Sequence, residues 1–174
     1  MILEEILLTD PVEDSIIDNL DVVLSLIPEL KPCINFMQRH PHHHLDVWEH
    51  TLFALSMAPN DFEIRLALLL HDIGKPFSYQ IDGDVYHYEG HADKSAEIAS
   101  EVLKRFDYPR NFRNEIIYLI RMHDTEILME DIVNNYELSY KRYIIQKCDA
   151  LAHHPDKLEK RKAYLEKTKQ LFRK

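Results

Sequence analysis

The sequence predicts an all-α helical bundle with one small β-hairpin near residues 78–88. Three observations carry this. There are only three glycines in 174 residues, and Leu, Ile, Glu and Lys, which favour helix, are plentiful. Apolar residues recur at three- and four-residue spacing along most of the chain. The exception, "YQIDGDVYHY", alternates around Asp82-Gly83, the strongest short hairpin signal present.

The elements follow in order. Residues 12–27 alternate acids with Ile, Leu and Val at helical spacing, which predicts one amphipathic helix ended by Pro28 and Pro32. The loop "RHPHHHLD" comes next. Asp46 has the character of an N-cap, with Glu49 completing a capping box, and opens a helix that stops near Pro59. Asn60 or Asp61 caps the helix "FEIRLALLLHD". Gly74 suits the left-handed position after its end, and Pro76 blocks continuation. After the hairpin, helices are expected over Ala92–Phe106, from Pro109 or Arg110 through Met122, from about Leu138 to Ala152, and from Pro155 to the end.

A chain of this length can bury a full core, and one domain, 1–174, is expected. Within it, 1–35 reads as a helical extension, 40–154 as the core and 155–174 as a C-terminal helix. The net charge of −9 argues against a general nucleic-acid coat or an anionic membrane as the main partner. Two cysteines, Cys33 and Cys148, indicate no disulfide framework. "MILEEILLTD" carries acid where a signal peptide carries base, and no apolar run is long enough to span a bilayer. A soluble cytoplasmic protein is the expectation.

The chemistry concentrates where an apolar helix ends in an adjacent imidazole and carboxylate, "LALLLHDIGKPF". At a helix end His71 and Asp72 can converge, and the last carbonyls there suit a cation; alternatively, they merely cap the helix. His123 closes a stripe with Phe112, Ile116, Leu119 and Ile120 and points with the core face, where a hydrogen-bonded structural histidine is the usual occupant. Asp149 shares a face with Ile145, Cys148 and Ala152. A carboxylate there needs a cation, either a metal or a Lys or Arg from another helix. His50 lies at the margin of an apolar face, and His91 just ahead of a helix. Together they form a histidine-plus-carboxylate set that suits Fe, Mn, Zn, Ni or Co better than Ca. His42, His43 and His44 diverge in a loop, with His44 the candidate to reach a pocket; His87, His153 and His154 read as surface. The Lys-rich tail is interrupted by Glu159 and Glu166 and reads as a solvated helix face.

His50, then His71-Asp72, then Asp149 on a late helix, with "DVWEHT", "LALLLHDIGKP" and "YEGHADKSAEIASEVLKRF" around them, resembles the HD superfamily of metal-dependent phosphohydrolases. The likeness is greatest to the HD domain that accompanies some bacterial tRNA nucleotidyltransferases, and to stand-alone relatives. It covers about residues 40–154 and does not include the polymerase head. The resemblance implies an HD-like bundle in which His50, His71, Asp72 and Asp149 ligate a divalent ion of Mn, Fe, Ni, Co or Zn type, with Mg a further candidate. It makes His91 and His123 candidates for a second ion bridged by Asp72. Some two-metal members carry paired histidines where this chain has His123-Asp124, so one and two ions both stay open. Asp72 and Lys75 become candidate catalytic residues, Lys75 as phosphate contact or proton donor, with an arginine such as Arg121 assisting. Tyr86 or Tyr88 is expected to wall the pocket. The implied substrate is a phosphorylated small molecule or nucleotide. A metal-stabilised binding module and a mixed-valent di-iron oxygenase are the competing readings.

Overall fold

The computed structural model describes residues 2–41 and 43–173. Ten α-helices occur among them: α1 Ile2–Leu8, α2 Val12–Asp18, α3 Leu20–Leu26, α4 Val47–Ser56, α5 Phe62–Leu70, α6 His91–Leu103, α7 Arg110–Arg121, α8 Met129–Asn134, α9 Tyr136–Leu151 and α10 Leu158–Leu171. One antiparallel hairpin, β1 Gln80–Asp82 and β2 Val85–His87, lies between α5 and α6. This is the expected all-α architecture.

Helix α5 is the axis. Every residue from Ile64 to Leu70 is buried, because α1, α4, α7 and α9 all pack against it. The run is apolar apart from Arg65, whose buried guanidinium donates to Leu7 O at 2.7 Å and to Asp10 Oδ1 at 2.5 Å. Its start is set by Asp61, whose side chain accepts from the Ile64 amide at 3.0 Å. Helix α4 begins with the expected capping box: Asp46 Oδ1 accepts from the Glu49 amide at 2.7 Å, and Glu49 Oε2 accepts from the Asp46 amide at 3.1 Å. The second Asp46 oxygen accepts from the Asn35 amide at 2.8 Å, which ties the preceding loop to the helix start.

Several expectations are corrected. Residues 12–27 form two helices, not one. Asn19 breaks them: its side-chain amide donates to Ser15 O at 2.8 Å, and its backbone leaves the helical region. This is the local competition that keeps Asn out of helix interiors. Leu3, Ile6 and Leu7 of α1 and Ile16 of α2 belong to the same buried cluster as α5, so the N-terminal segment is part of the main core. The hairpin loop is Gly83-Asp84, one residue later than expected, since Asp82 pairs with Val85. Gly83 supplies the positive φ of 58°. Helix α9 starts at Tyr136, where the Asn135 side chain caps Leu138 N.

Gly74 is not left-handed; its φ is −82°. Its smallness matters instead. A Cβ there would lie 2.5 Å from Ser95 N and 2.7 Å from His91 O. The Gly74 amide donates to Ser95 Oγ at 2.9 Å. This close approach presses the start of α6 against the turn that follows α5.

Candidate metal centre

Four helix ends and one helix face meet beneath a pocket of about 790 Å³. Asp72, two residues past the end of α5, sits at the middle. Its Oδ2 lies 3.3 Å from His71 Nε2 and 3.5 Å from His50 Nε2. Its Oδ1 lies 3.5 Å from His91 Nε2 and 3.9 Å from His123 Nε2. Asp149 Oδ1 is 2.8 Å from His50 Nε2 and 3.7 Å from His71 Nε2. The six residues named from the sequence thus form two groups that share Asp72: His50, His71, Asp72 and Asp149 on one side, Asp72, His91 and His123 on the other. No Lys or Arg stands at ion-pair distance from Asp149 among the described residues; its neighbours are His50, His71 and His153.

The orientation of the imidazoles is set by the backbone. His50 Nδ1–H donates to Ala152 O at 3.2 Å, His71 Nδ1–H to Leu68 O at 2.7 Å, His91 Nδ1–H to Tyr88 O at 2.8 Å and His123 Nδ1–H to Ile120 O at 2.7 Å. A carbonyl can only accept, so each Nδ1 must carry its proton. In the neutral ring, every Nε2 lone pair is then left facing the carboxylates. This is the usual arrangement behind metal-ligating histidines. His71 Nε2 and Asp72 Oδ1 are buried without hydrogen-bond partners, a costly state unless a cation meets them.

The charges agree. Burial works to lower the His71 pKa, but the Asp72 and Asp149 carboxylates outweigh it and push it up to about 10. Burial likewise opposes ionisation of Asp72, yet the charges of His71 and Lys75 hold its carboxyl well below the usual carboxylate range. Without an ion, therefore, a proton on His71 partly balances the carboxylates. His123 goes the other way, to about 4, because burial and the neighbouring charge on His71 both disfavour its imidazolium. The donor set of imidazoles and carboxylates fits a divalent transition ion.

Lys75 is buried, only 4% exposed. Its Nζ lies 2.7 Å from Asp72 Oδ2 and donates to Gln38 Oε1 at 2.8 Å. Gln38 is itself fixed by Tyr88, whose hydroxyl donates to Gln38 O at 2.6 Å. Tyr88 lines the pocket, whereas Tyr86 stacks on Tyr79 at 4.9 Å.

Other sequence expectations fail here. His44 is exposed, and His43 reaches the pocket instead: a turn in which its amide donates to His40 O swings the ring to 4.7 Å from His153 and 5.3 Å from His50. His42 lies outside the described residues. His153 is buried rather than on the surface. Its Nδ1–H donates back to Asp149 O at 2.9 Å, which turns the ring inward under α10. The i, i+4 spacing from Asp149 was the available signal. Arg121 does not reach the pocket; it is exposed and pairs with Asp93 at 3.2 Å. The cations that line the pocket are Lys75 and, from the C-terminal segment, Lys157, Lys160 and Arg161, so the tail is not wholly a solvated face. Gln38 left no trace in the sequence pattern.

Residues 42–168 match the family model of the HD domain. The chain belongs to the HD domain family. HD domains form a superfamily of metal-dependent phosphohydrolases. The chain is 38% identical over 104 residues to a CC-adding tRNA nucleotidyltransferase of Thermus thermophilus, covering 56% of this chain and 24% of that protein. It is 33% identical over 96 residues to an A-adding tRNA nucleotidyltransferase of Deinococcus radiodurans, covering 51% and 22%. A bifunctional uridylyltransferase/uridylyl-removing enzyme of Cereibacter sphaeroides is 28% identical over 149 residues, 73% of this chain and 15% of that protein. The chain therefore spans about a quarter or less of these curated relatives. Among the described residues, no helix is long and apolar enough to cross a membrane.

Proposed function

We propose that this HD domain hydrolyses a phosphate ester of a nucleotide or nucleotide-like small molecule, with His50, His71, Asp72 and Asp149 holding a divalent ion and His91 and His123 able to hold a second. The carrying observation is the row of four histidines whose Nδ1 protons are committed to backbone carbonyls, so that four Nε2 atoms turn on Asp72. A divalent ion in such a setting lowers the pKa of coordinated water and polarises a phosphoryl oxygen.

The protein's own groups do the rest. Asp72 faces His50 and His71 with Oδ2 and His91 and His123 with Oδ1, so it can serve both sides of the centre. Lys75 supplies a fixed positive charge at the pocket floor, where negative charge develops on the transferred phosphoryl group. It is held there by Asp72 and Gln38, so little reorganisation is needed. The half-buried Tyr88 ring, with Lys75 Nζ 5.6 Å from its centre, walls the pocket beside that charge. A cavity of this volume suits a nucleotide-sized ligand.

The test is phosphate release from a panel of nucleotides, cyclic nucleotides and dinucleotides, with Mn, Fe, Co, Ni, Zn and Mg supplied in turn. Release that disappears in folded His71→Ala and Asp72→Ala variants supports the reading. Tight ion binding with no hydrolysis across the panel would make the domain a binding module, and oxygen uptake by an iron-loaded protein would make it an oxygenase.

A further inference from the structure

We infer that the cationic face of α10 forms a phosphate subsite, so that the favoured ligand is a small molecule carrying at least one phosphoryl group beyond the one at the centre. The identity of the reacting centre rests on the function proposed above; the subsite itself rests on α10.

Lys157, Lys160 and Arg161 fall at i, i+3 and i+4, one stripe of the C-terminal segment, and all line the pocket. Tyr164 and Leu165 continue the stripe, and buried Leu165 anchors it. The remaining charges of this helix are arranged differently. Glu159 is 91% exposed and pairs with Lys162 at 3.1 Å. Lys157 and Lys160 have no carboxylate within ion-pair distance among the described residues. Unpaired cations turned toward a cavity, in a chain of net charge −9, are suited to an anionic ligand.

Arg161 is linked to the centre through His153. Its Nη2 donates to His153 Nε2 at 3.3 Å, and the same ring's Nδ1–H donates to Asp149 O. An imidazole nitrogen accepting that bond leaves the guanidinium charge unneutralised. One imidazole thus separates Arg161 from Asp149. A phosphoryl group beside the Asp72–Asp149 pair would place its covalent neighbour toward Arg161, with Lys160 and Lys157 lining the same pocket. The exposed carboxylates of the pocket, Glu89, Asp124 and Glu126, come from other segments, before α6 and after α7. Guanidinium and ammonium groups are the usual partners of phosphate oxygens.

The test is calorimetric binding of inorganic triphosphate and orthophosphate to the manganese-loaded full chain. Wild-type protein should prefer triphosphate. Lys160→Gln and Arg161→Gln should each weaken triphosphate binding by about tenfold and narrow its advantage over orthophosphate. Lys162→Gln, on the solvent face of the same helix, should not. Because Lys160 is exposed, its variant tests the subsite even if the Arg161 variant disturbs His153. An unchanged preference in both variants, or an equal loss in Lys162→Gln, would overturn the subsite. A short oligoribonucleotide that outcompetes triphosphate and loses as much in the same variants would overturn the small-molecule assignment in favour of nucleic acid. A collapsed preference in a protein that hydrolyses no ester would leave the subsite standing and remove the hydrolase reading.

Discussion

His91 Nε2 stands 3.2 Å from His123 Nε2, and both rings have their Nδ1 protons committed to backbone carbonyls. Two lone pairs cannot face each other at that distance unopposed. Either one nitrogen takes a proton, or a cation sits against both.

That pair leads to the first expectation, which concerns ion count. Metal analysis of manganese-loaded protein should give two ions per chain in the wild type and one in His123→Ala, since the first ligand group keeps all four of its members. One ion in both proteins would make the His91–His123 contact a proton-shared structural pair.

Ion binding should depend steeply on pH. In the ion-free site His71 has its pKa raised to about 10, so it keeps its proton through the neutral range and loses it as pH rises through that value. An incoming ion must displace that proton. Affinity should therefore rise by about tenfold per pH unit for one exchanged proton, or about a hundredfold from pH 6 to pH 8. Calorimetry in buffers of different ionisation enthalpy would count the protons released. A flat profile would mean that His71 is neutral before the ion arrives.

Lys75→Met separates charge stabilisation from ion binding. Metal content should persist, because Lys75 is not among the proposed ligands. The rate constant for ester hydrolysis should fall by about 10²-fold or more, the usual scale for losing one preorganised electrostatic group. Equal losses in metal content and rate would show that Lys75 acts only by holding Asp72.

Gly74→Ala should destabilise the fold by about 1–3 kcal/mol, because the new methyl meets the Ser95 and His91 backbone rather than a movable side chain. Its effect should extend to the second ion, since α6 carries His91. Thermal unfolding and metal stoichiometry, measured together, check both parts. A fully stable variant would show that α6 can retreat without cost.

Arg142 is entirely buried on α9. Its guanidinium donates to Thr125 O at 3.2 Å, Glu126 O at 3.3 Å and the Tyr118 hydroxyl at 3.3 Å. Asp131 lies 3.4 Å away. Arg142→Met keeps the packing but leaves Glu126 O without the guanidinium and Thr125 O with only its 2.6 Å bond from Gln146, and should cost about 2–4 kcal/mol in denaturant unfolding. Proteolysis should then cut first between α7 and α8, the loop that the arginine holds.

Much of this was legible from one dimension. The capping box at Asp46 and Glu49, the end of the α5 run and the hairpin are local events, written in residues that touch their near neighbours. The six residues His50, His71, Asp72, His91, His123 and Asp149 stand out as a set of imidazoles and carboxylates at helix edges or inner faces; burial cost singles out Asp149 alone, and the ligand roles come from the family resemblance. The break at Asn19 was missed because helical spacing continues through it, while a single side-chain hydrogen bond ends the helix.

The sequence by itself determined the helical class, the residue types of the centre and their order along the chain. Only the tertiary structure decided which histidines share Asp72, that His43 and not His44 turns inward, that His153 is buried, and that Lys160 and Arg161 face the pocket. The reason is physical. A side chain's chemistry and its helix face are set within a few residues, but the partner across a pocket depends on packing between elements up to a hundred residues apart. His50 and Ala152, joined by one hydrogen bond across 102 positions, mark that difference.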